Sequence, residues 1–238
     1  MKLAILMGTY QRPDGSTPFY LKRALDSVFA QTHRDFKIYL FGDKYEDNTE
    51  FVNIASSYPQ DHLYYENLLV AIEREKYVDE LKFVLWCIAG TALNNYGIDM
   101  ILRDDYDYIC HMDHDDYWTP GHLHLLSETI EETHADWLCT KSIYSTNGLF
   151  PFGFNGRKEK LIPFLPLPQG VTHSAVCCNY RTVPLRSRDT FKELGEPIPG
   201  DLDLWRRMAE YITEHNLKSY LINVQTCFHM EEGCVFKN

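Results

Sequence analysis

Leu3 to Met7 is an unbroken apolar run of five residues, the pattern of a short strand covered on both faces. A polar loop, GTYQRPDGSTP, follows it. Leu21, Ala24, Leu25, Val28 and Phe29 then return at helical spacing. FKIYLF (36–41) predicts a second strand and HLYY (62–65) a third, with Asp47 or Asn48 as N-cap of the helix between them. Residues 77–102 read as helix broken near Gly90, and 106–112 as a fourth strand. Thr119-Pro120 predicts a helix running to about Thr133, with proline in its first turn, and 137–145 a further strand.

After that the period is lost. Residues 147–170 hold four glycines, four prolines and four phenylalanines in no repeating order. The segment is too apolar for a free linker, and it is predicted to be a long, partly packed functional loop over the acceptor side of a site. A strand at 174–180, helices near 187–194 and 202–214, and a strand at 218–224 complete the pattern. Alternating strands and helices predict an α/β fold in one domain, 1–238, with a mixed, mostly parallel sheet and right-handed crossovers. Ligands of such sheets lie beyond the carboxyl ends of the strands. Three ends carry unusual polar chemistry: Thr9-Tyr10-Gln11-Arg12, Gly42-Asp43, and Asp113-His114-Asp115-Asp116. They are expected to meet in one crevice.

Charge narrows the partners. With 23 Lys+Arg against 34 Asp+Glu the net charge is -11, and no basic cluster occurs, which excludes a nucleic-acid surface. A negatively charged ligand therefore needs a metal or local arginines. Seven cysteines without a CxxC pair, mostly in apolar runs, predict reduced buried thiols and a cytoplasmic protein. The first apolar run is too short for a signal-peptide core, and no run has the length of an integral membrane segment.

The densest chemistry is HMDHDDYW (111–118). Aspartates at i and i+2 leaving a strand share a side and suit a hard divalent cation, Mg²⁺ or Mn²⁺, which completes its shell with substrate phosphates. Asp115 or Asp116 could instead simply cap the helix entered at Thr119-Pro120. HxDH is also part of the HxHxDH pattern of two-metal hydrolases, but the position of its first histidine is Ile109. Neither GxGxxG nor GxxxxGK[ST] is present.

Taken in order, Thr9-Tyr10-Gln11-Arg12, Ser27 to Thr32, Gly42 to Thr49, Asn95-Tyr96-Gly97-Ile98, Asp113 to Pro120 and Gly200 to Arg207 resemble the motif series of glycosyltransferase family 2. The resemblance spans roughly residues 1–215. It implies a GT-A fold with a nucleotide-binding half (1–116) and an acceptor-side half (117–238). It also implies a metal-dependent inverting transfer from a nucleotide-sugar, UDP-sugar favoured, to a hydroxyl of a glycan or other acceptor. Residue by residue, Thr9, Tyr10 and Arg12 would pack on the base and Asp43 would accept from its ring N–H. Asn95 stands in the N-x-G-I stretch. Asp113 would lie near ribose and metal, Asp115 would bind the metal, and His229 would add a ligand. Asp201 is the implied base, with His173, Trp118 and Trp205 on the acceptor side. Three positions depart from the pattern: Gly42 and Gly200 where the family has acids, and Asn94 where it often has arginine. A sugar-nucleotide-forming enzyme would want a GxGTR loop, which MGTYQRP is not. A binding module without chemistry would not need Asp113, Asp115 and Asp201 together.

Overall fold

The computed structural model describes residues 1–144, 148–151, 153–166 and 170–230. Strands β1 (Leu3–Thr9), β2 (Phe36–Gly42), β3 (Leu63–Asn67) and β4 (Tyr108–Asp113) form a parallel block in the order β3-β2-β1-β4. Their crossovers are α1 (Thr17–Phe29), α2 (Asn48–Ser56), and a run of three helices, α3 (Ile72–Lys76), α4 (Lys82–Ile88) and α5 (Thr91–Arg103). The sheet continues through β5 (Tyr117–Trp118), β6 (Trp137–Tyr144), β7 (Gly148–Phe150), β8 (Leu161–Pro163), β9 (Val176–Asn179) and β10 (Ser219–His229). β9 runs antiparallel between β4 and β6, and β10 is parallel to β6. Helices α6 (His122–Thr133), α7 (Thr190–Leu194) and α8 (Gly200–Glu214) complete the single α/β domain.

β1 is buried along nearly its whole length, as an unalternating apolar strand must be. Its residues alternate between two cores. Leu3, Ile5 and Met7 face α1 and α2, while Ala4 and Leu6 face α5 and α8. Asp47 caps α2 through Thr49 N–H, and Gly90, at φ 79°, separates α4 from α5. Gly97 lets α5 press onto the sheet. A Cβ there would collide with Leu6 Cδ1 and come within 3.0 Å of Phe41 Cε2. Gly97→Ala is therefore expected to cost about 1–3 kcal/mol, measured as a lowered urea midpoint with an unchanged slope. An unchanged midpoint would mean that α5 has room to shift.

Several expectations are corrected. Residues 147–170 are not loop throughout: Gly148–Phe150 pairs with β6, and Leu161–Pro163 pairs with the opposite, amino end of β10. The beginning of the segment thus lies at the carboxyl end of β6; residues 147, 152 and 167–169 lie outside the described residues. α6 begins after Gly121, so neither Asp115 nor Asp116 caps it. α3 and β5 were not predicted, and the last strand runs on to His229 instead of stopping at 224.

Candidate active site

The ends of β1, β2, β4, β6 and β10 deliver the polar residues to one side of the sheet. β4 stops at Asp113, and Asp116 N–H closes a turn on the Asp113 carbonyl at 3.0 Å. The alternation of a strand therefore does not carry on to Asp115. In the turn, residues i and i+3 become neighbours, so Asp116 and not Asp115 returns to the side of Asp113. The Asp115 carboxylate turns to Arg12, 2.6 Å away and almost buried, while Arg23 holds the Asp115 carbonyl.

β10 supplies the third member. Its register against β6 slips twice between Ile222 and Cys227, and its far end pairs with β5. That pairing lays His229 beside the 113–116 turn, where Nδ1 meets Asp116 Oδ2 at 3.0 Å and Met230 N–H donates to Oδ1 at 3.0 Å. Ligand atoms of Asp113, Asp116 and His229 all lie within 4.8 Å of one another, a grouping found nowhere else among the described residues. Two carboxylates and an imidazole suit Mn²⁺ or Mg²⁺ with further oxygen ligands from a substrate. By geometry the candidates for holding a cation among the described residues are Asp113, Asp116 and His229, whereas Asp115, expected to bind the metal, faces Arg12.

Burial pushes the Asp116 carboxyl up to about 6 against the pull of His229. Burial also opposes the His229 cation, but its hydrogen bond to Asp116 and the surrounding carboxylates win and raise it to about 9. For Asp113 burial is outweighed by His173, which holds the carboxyl below the usual range. His173 Nδ1 is 3.0 Å from Asp113 Oδ1, and its ring rests on His111, 4.4 Å between centroids. His111 in turn reaches Tyr180, whereas His114 packs edge-on against Tyr10. The two histidines of HxDH thus serve different neighbours, and the hydrolase reading fails.

Asp201 lies in the first turn of α8, reached by solvent yet ringed by protein. It caps nothing: the N-cap is Pro199, and its own Oδ1 accepts from Leu202 N–H at 2.8 Å. Burial raises its pKa, opposed by the charge of His173. Behind it the fully buried Asp203 accepts from Arg188, Arg206 and Arg207, which pins the start of the helix.

Asp43 reaches the strand ends, but its Oδ2 accepts from Arg74 Nε at 2.8 Å, and the same guanidinium holds its carbonyl. Sequence reasoning missed Arg74, because α3 is a single turn with no periodic signal. A pocket of about 330 Å³ opens beside this pair, lined by Asp43, Glu66, Leu68, Ile72, Leu93 and Tyr96. At Gly42 a side chain would meet Asn67 Oδ1 at 2.7 Å and Tyr45 at 3.1 Å, so the missing acid is replaced by the Asn67 clamp on the 43–47 loop.

Five further residues are engaged elsewhere than expected. Thr9 is buried and spends its hydroxyl on Tyr45. Arg12, buried against Asp115 and the Tyr20 ring, fastens the loop and does not offer its charge to a base. Asn95 donates to the Ser187 carbonyl, away from the strand ends. Trp118 and Trp205 are 3% and 0% exposed, the first bonded to the Ser174 carbonyl and the second packed on Trp137. Neither has a face on which a sugar could stack; Trp205 instead supports His173.

No family model matches the chain. An uncharacterized glycosyltransferase, R139, of Acanthamoeba polyphaga mimivirus is 30% identical over 99% of this chain and 96% of its own length. Among solved structures, S. aureus TarS 1–349, with UDP bound, aligns over 96% of this chain and 60% of its own at TM-score 0.65 and 14% identity. The mannosyltransferase PcManGT of Pyrobaculum calidifontis, with GDP-Man and Mn²⁺, aligns over 97% and 58% at TM-score 0.59 and 9% identity. The chain thus spans three fifths or less of these two structures. No helix among the described residues is long and apolar enough to cross a membrane.

Proposed function

Because this chain belongs to the glycosyltransferases, we propose that it moves a sugar from a nucleoside diphosphate sugar, UDP-linked in preference, to an acceptor hydroxyl, with inversion and with a divalent cation. The observation that carries the reading is the meeting of Asp113, Asp116 and His229 in one cluster, with Asp201 within the field of His173 and Asp113. In a protein of net charge -11 a diphosphate is otherwise repelled. A cation held by these three residues would supply the positive charge that the leaving diphosphate requires.

The chain's own groups do the rest. Asp43, oriented by Arg74, presents an acceptor to a ring N–H of the base in the neighbouring pocket. His173 fixes the rotamer of Asp113. Asp201 takes the proton from the acceptor oxygen as that oxygen attacks the anomeric carbon opposite the leaving group, and its raised pKa makes it a better base. Gly200, where the family has a glutamate, admits no side chain easily, since a Cβ would stand 3.2 Å from the Cys87 carbonyl.

Calorimetry with UDP-, dTDP- and GDP-sugars, with and without Mn²⁺, tests the reading. Tight Mn²⁺-dependent binding of a UDP-sugar together with its slow hydrolysis is the expected result. Binding of none of them would defeat it.

A further inference from the structure

Leu69, Ile72, Val78, Leu81, Phe83 and Trp86 are 89, 53, 72, 76, 48 and 50% exposed. Single exposed apolar residues are normal on a soluble surface, but these six within residues 69–86, with half-exposed Val70 beside them, are not. Folding has already taken what it needs from this segment: Tyr77, Val84, Cys87 and Ile88 are buried around α4, with Phe191 against them. The six are what α3, α4 and their connections leave facing outward.

The surface adjoins the site at two points. Ile72 also lines the pocket beside Asp43. Cys87, next to Trp86, has its carbonyl against Gly200, the residue before Asp201. An acceptor lying along this surface would therefore arrive at the proposed base.

Charge and shape say what the surface fits. Three of its cations are already neutralised, Lys44 by Glu75 at 2.5 Å, Lys76 by Asp189 at 2.7 Å and Arg74 by Asp43 at 2.8 Å, and Lys82, between Leu81 and Phe83, is outnumbered by Asp79 and Glu80 just before it. The whole chain carries -11. An anionic partner therefore gains nothing here. Four of the six side chains are aliphatic and offer a free glycan no face to stack on. Phe83 and Trp86, stacked with centroids 5.8 Å apart, are the ring types that settle at the boundary of a bilayer.

We propose that this surface seats the protein on an electrically neutral lipid bilayer and that the acceptor is membrane-borne, its hydroxyl-bearing head presented to Asp201. The acceptor half of this statement rests on the sugar-transfer reading; the lipid seat does not. Trp86 is the one exposed tryptophan, since Trp118, Trp137 and Trp205 are buried, so its emission reports contact directly. Mixed with phosphatidylcholine vesicles, the full chain is expected to float with them, with emission shifted to the blue and no loss at high salt. The variant Leu81→Glu/Phe83→Glu keeps the reporter and is expected to partition at least about tenfold less, with Mn²⁺-dependent UDP binding at the wild-type level. Wild-type protein that stays free with unshifted emission overturns the proposal. So does binding confined to phosphatidylserine vesicles and lost with salt, or a variant that floats as well as wild type. UDP binding is read separately, so a failed transfer reading and a failed lipid seat are told apart.

Discussion

Asp201→Asn is expected to lower sugar transfer by ~10²–10⁴-fold while donor and metal affinity stay close to wild type. Asparagine is nearly the same size and can still accept from Leu202 N–H, so the first turn of α8 should persist. It cannot take a proton from the acceptor. Stability should barely move, because the helix is held by Asp203 and its three arginines and not by Asp201. Single-turnover transfer, compared with calorimetric donor binding, separates the two effects. A variant that transfers at close to the normal rate would remove Asp201 from the chemistry and make His173, already in hydrogen-bond contact with Asp113, the next candidate.

Asp113→Asn is expected to weaken Mn²⁺-dependent UDP binding by about 10²-fold or more. The asparagine oxygen can still receive the His173 N–H, so the loss should fall on the metal and leave the fold intact. Asp115 provides the contrast. Its removal would take the carboxylate from the nearly buried Arg12, and its expected signature is lost stability, by about 1–3 kcal/mol, with metal dependence retained. Calorimetry on both variants, alongside urea unfolding, decides between the two aspartates. The opposite pattern, with Asp115 essential for the metal and Asp113 dispensable, would overturn the grouping with Asp116 and His229.

Much of the fold was legible because its signals are local. β1, β2 and β4 announce themselves as apolar runs, and Gly90 and Asp47 mark helix ends by turn and cap chemistry that depends on few neighbours. The alternation of strands and helices also located Asp43 and Asp113 at the carboxyl ends of β2 and β4. What failed was the choice of partners inside the crevice. Extrapolating strand alternation past Asp113 picked Asp115, although a single hydrogen bond from Asp116 N–H converts the spacing from two to three. Arg74 and the burial of Trp118 and Trp205 depend on contacts between distant segments, which periodicity does not encode. Arg12 was read as reaching a ligand because nothing in the sequence says that Asp115 lies within 2.6 Å of it.

The slipped register of β10 bears on how the protein comes to have a site at all. Asp116 and His229 are 113 positions apart, and the strand joining them to one place must first find β6 and then pass two irregularities. Such a closure is among the entropically expensive, late events of folding, whereas the β1-β2 block forms from nearer neighbours. An intermediate with the parallel block assembled and β10 still undocked would already possess Asp43 and Asp113 but not the His229–Asp116 pair. On the proposed function, cation affinity would therefore be a property of the finished topology: it would register completion of the last strand, and a misregistered β10 would leave a compact, largely native chain without the Asp116–His229 pair.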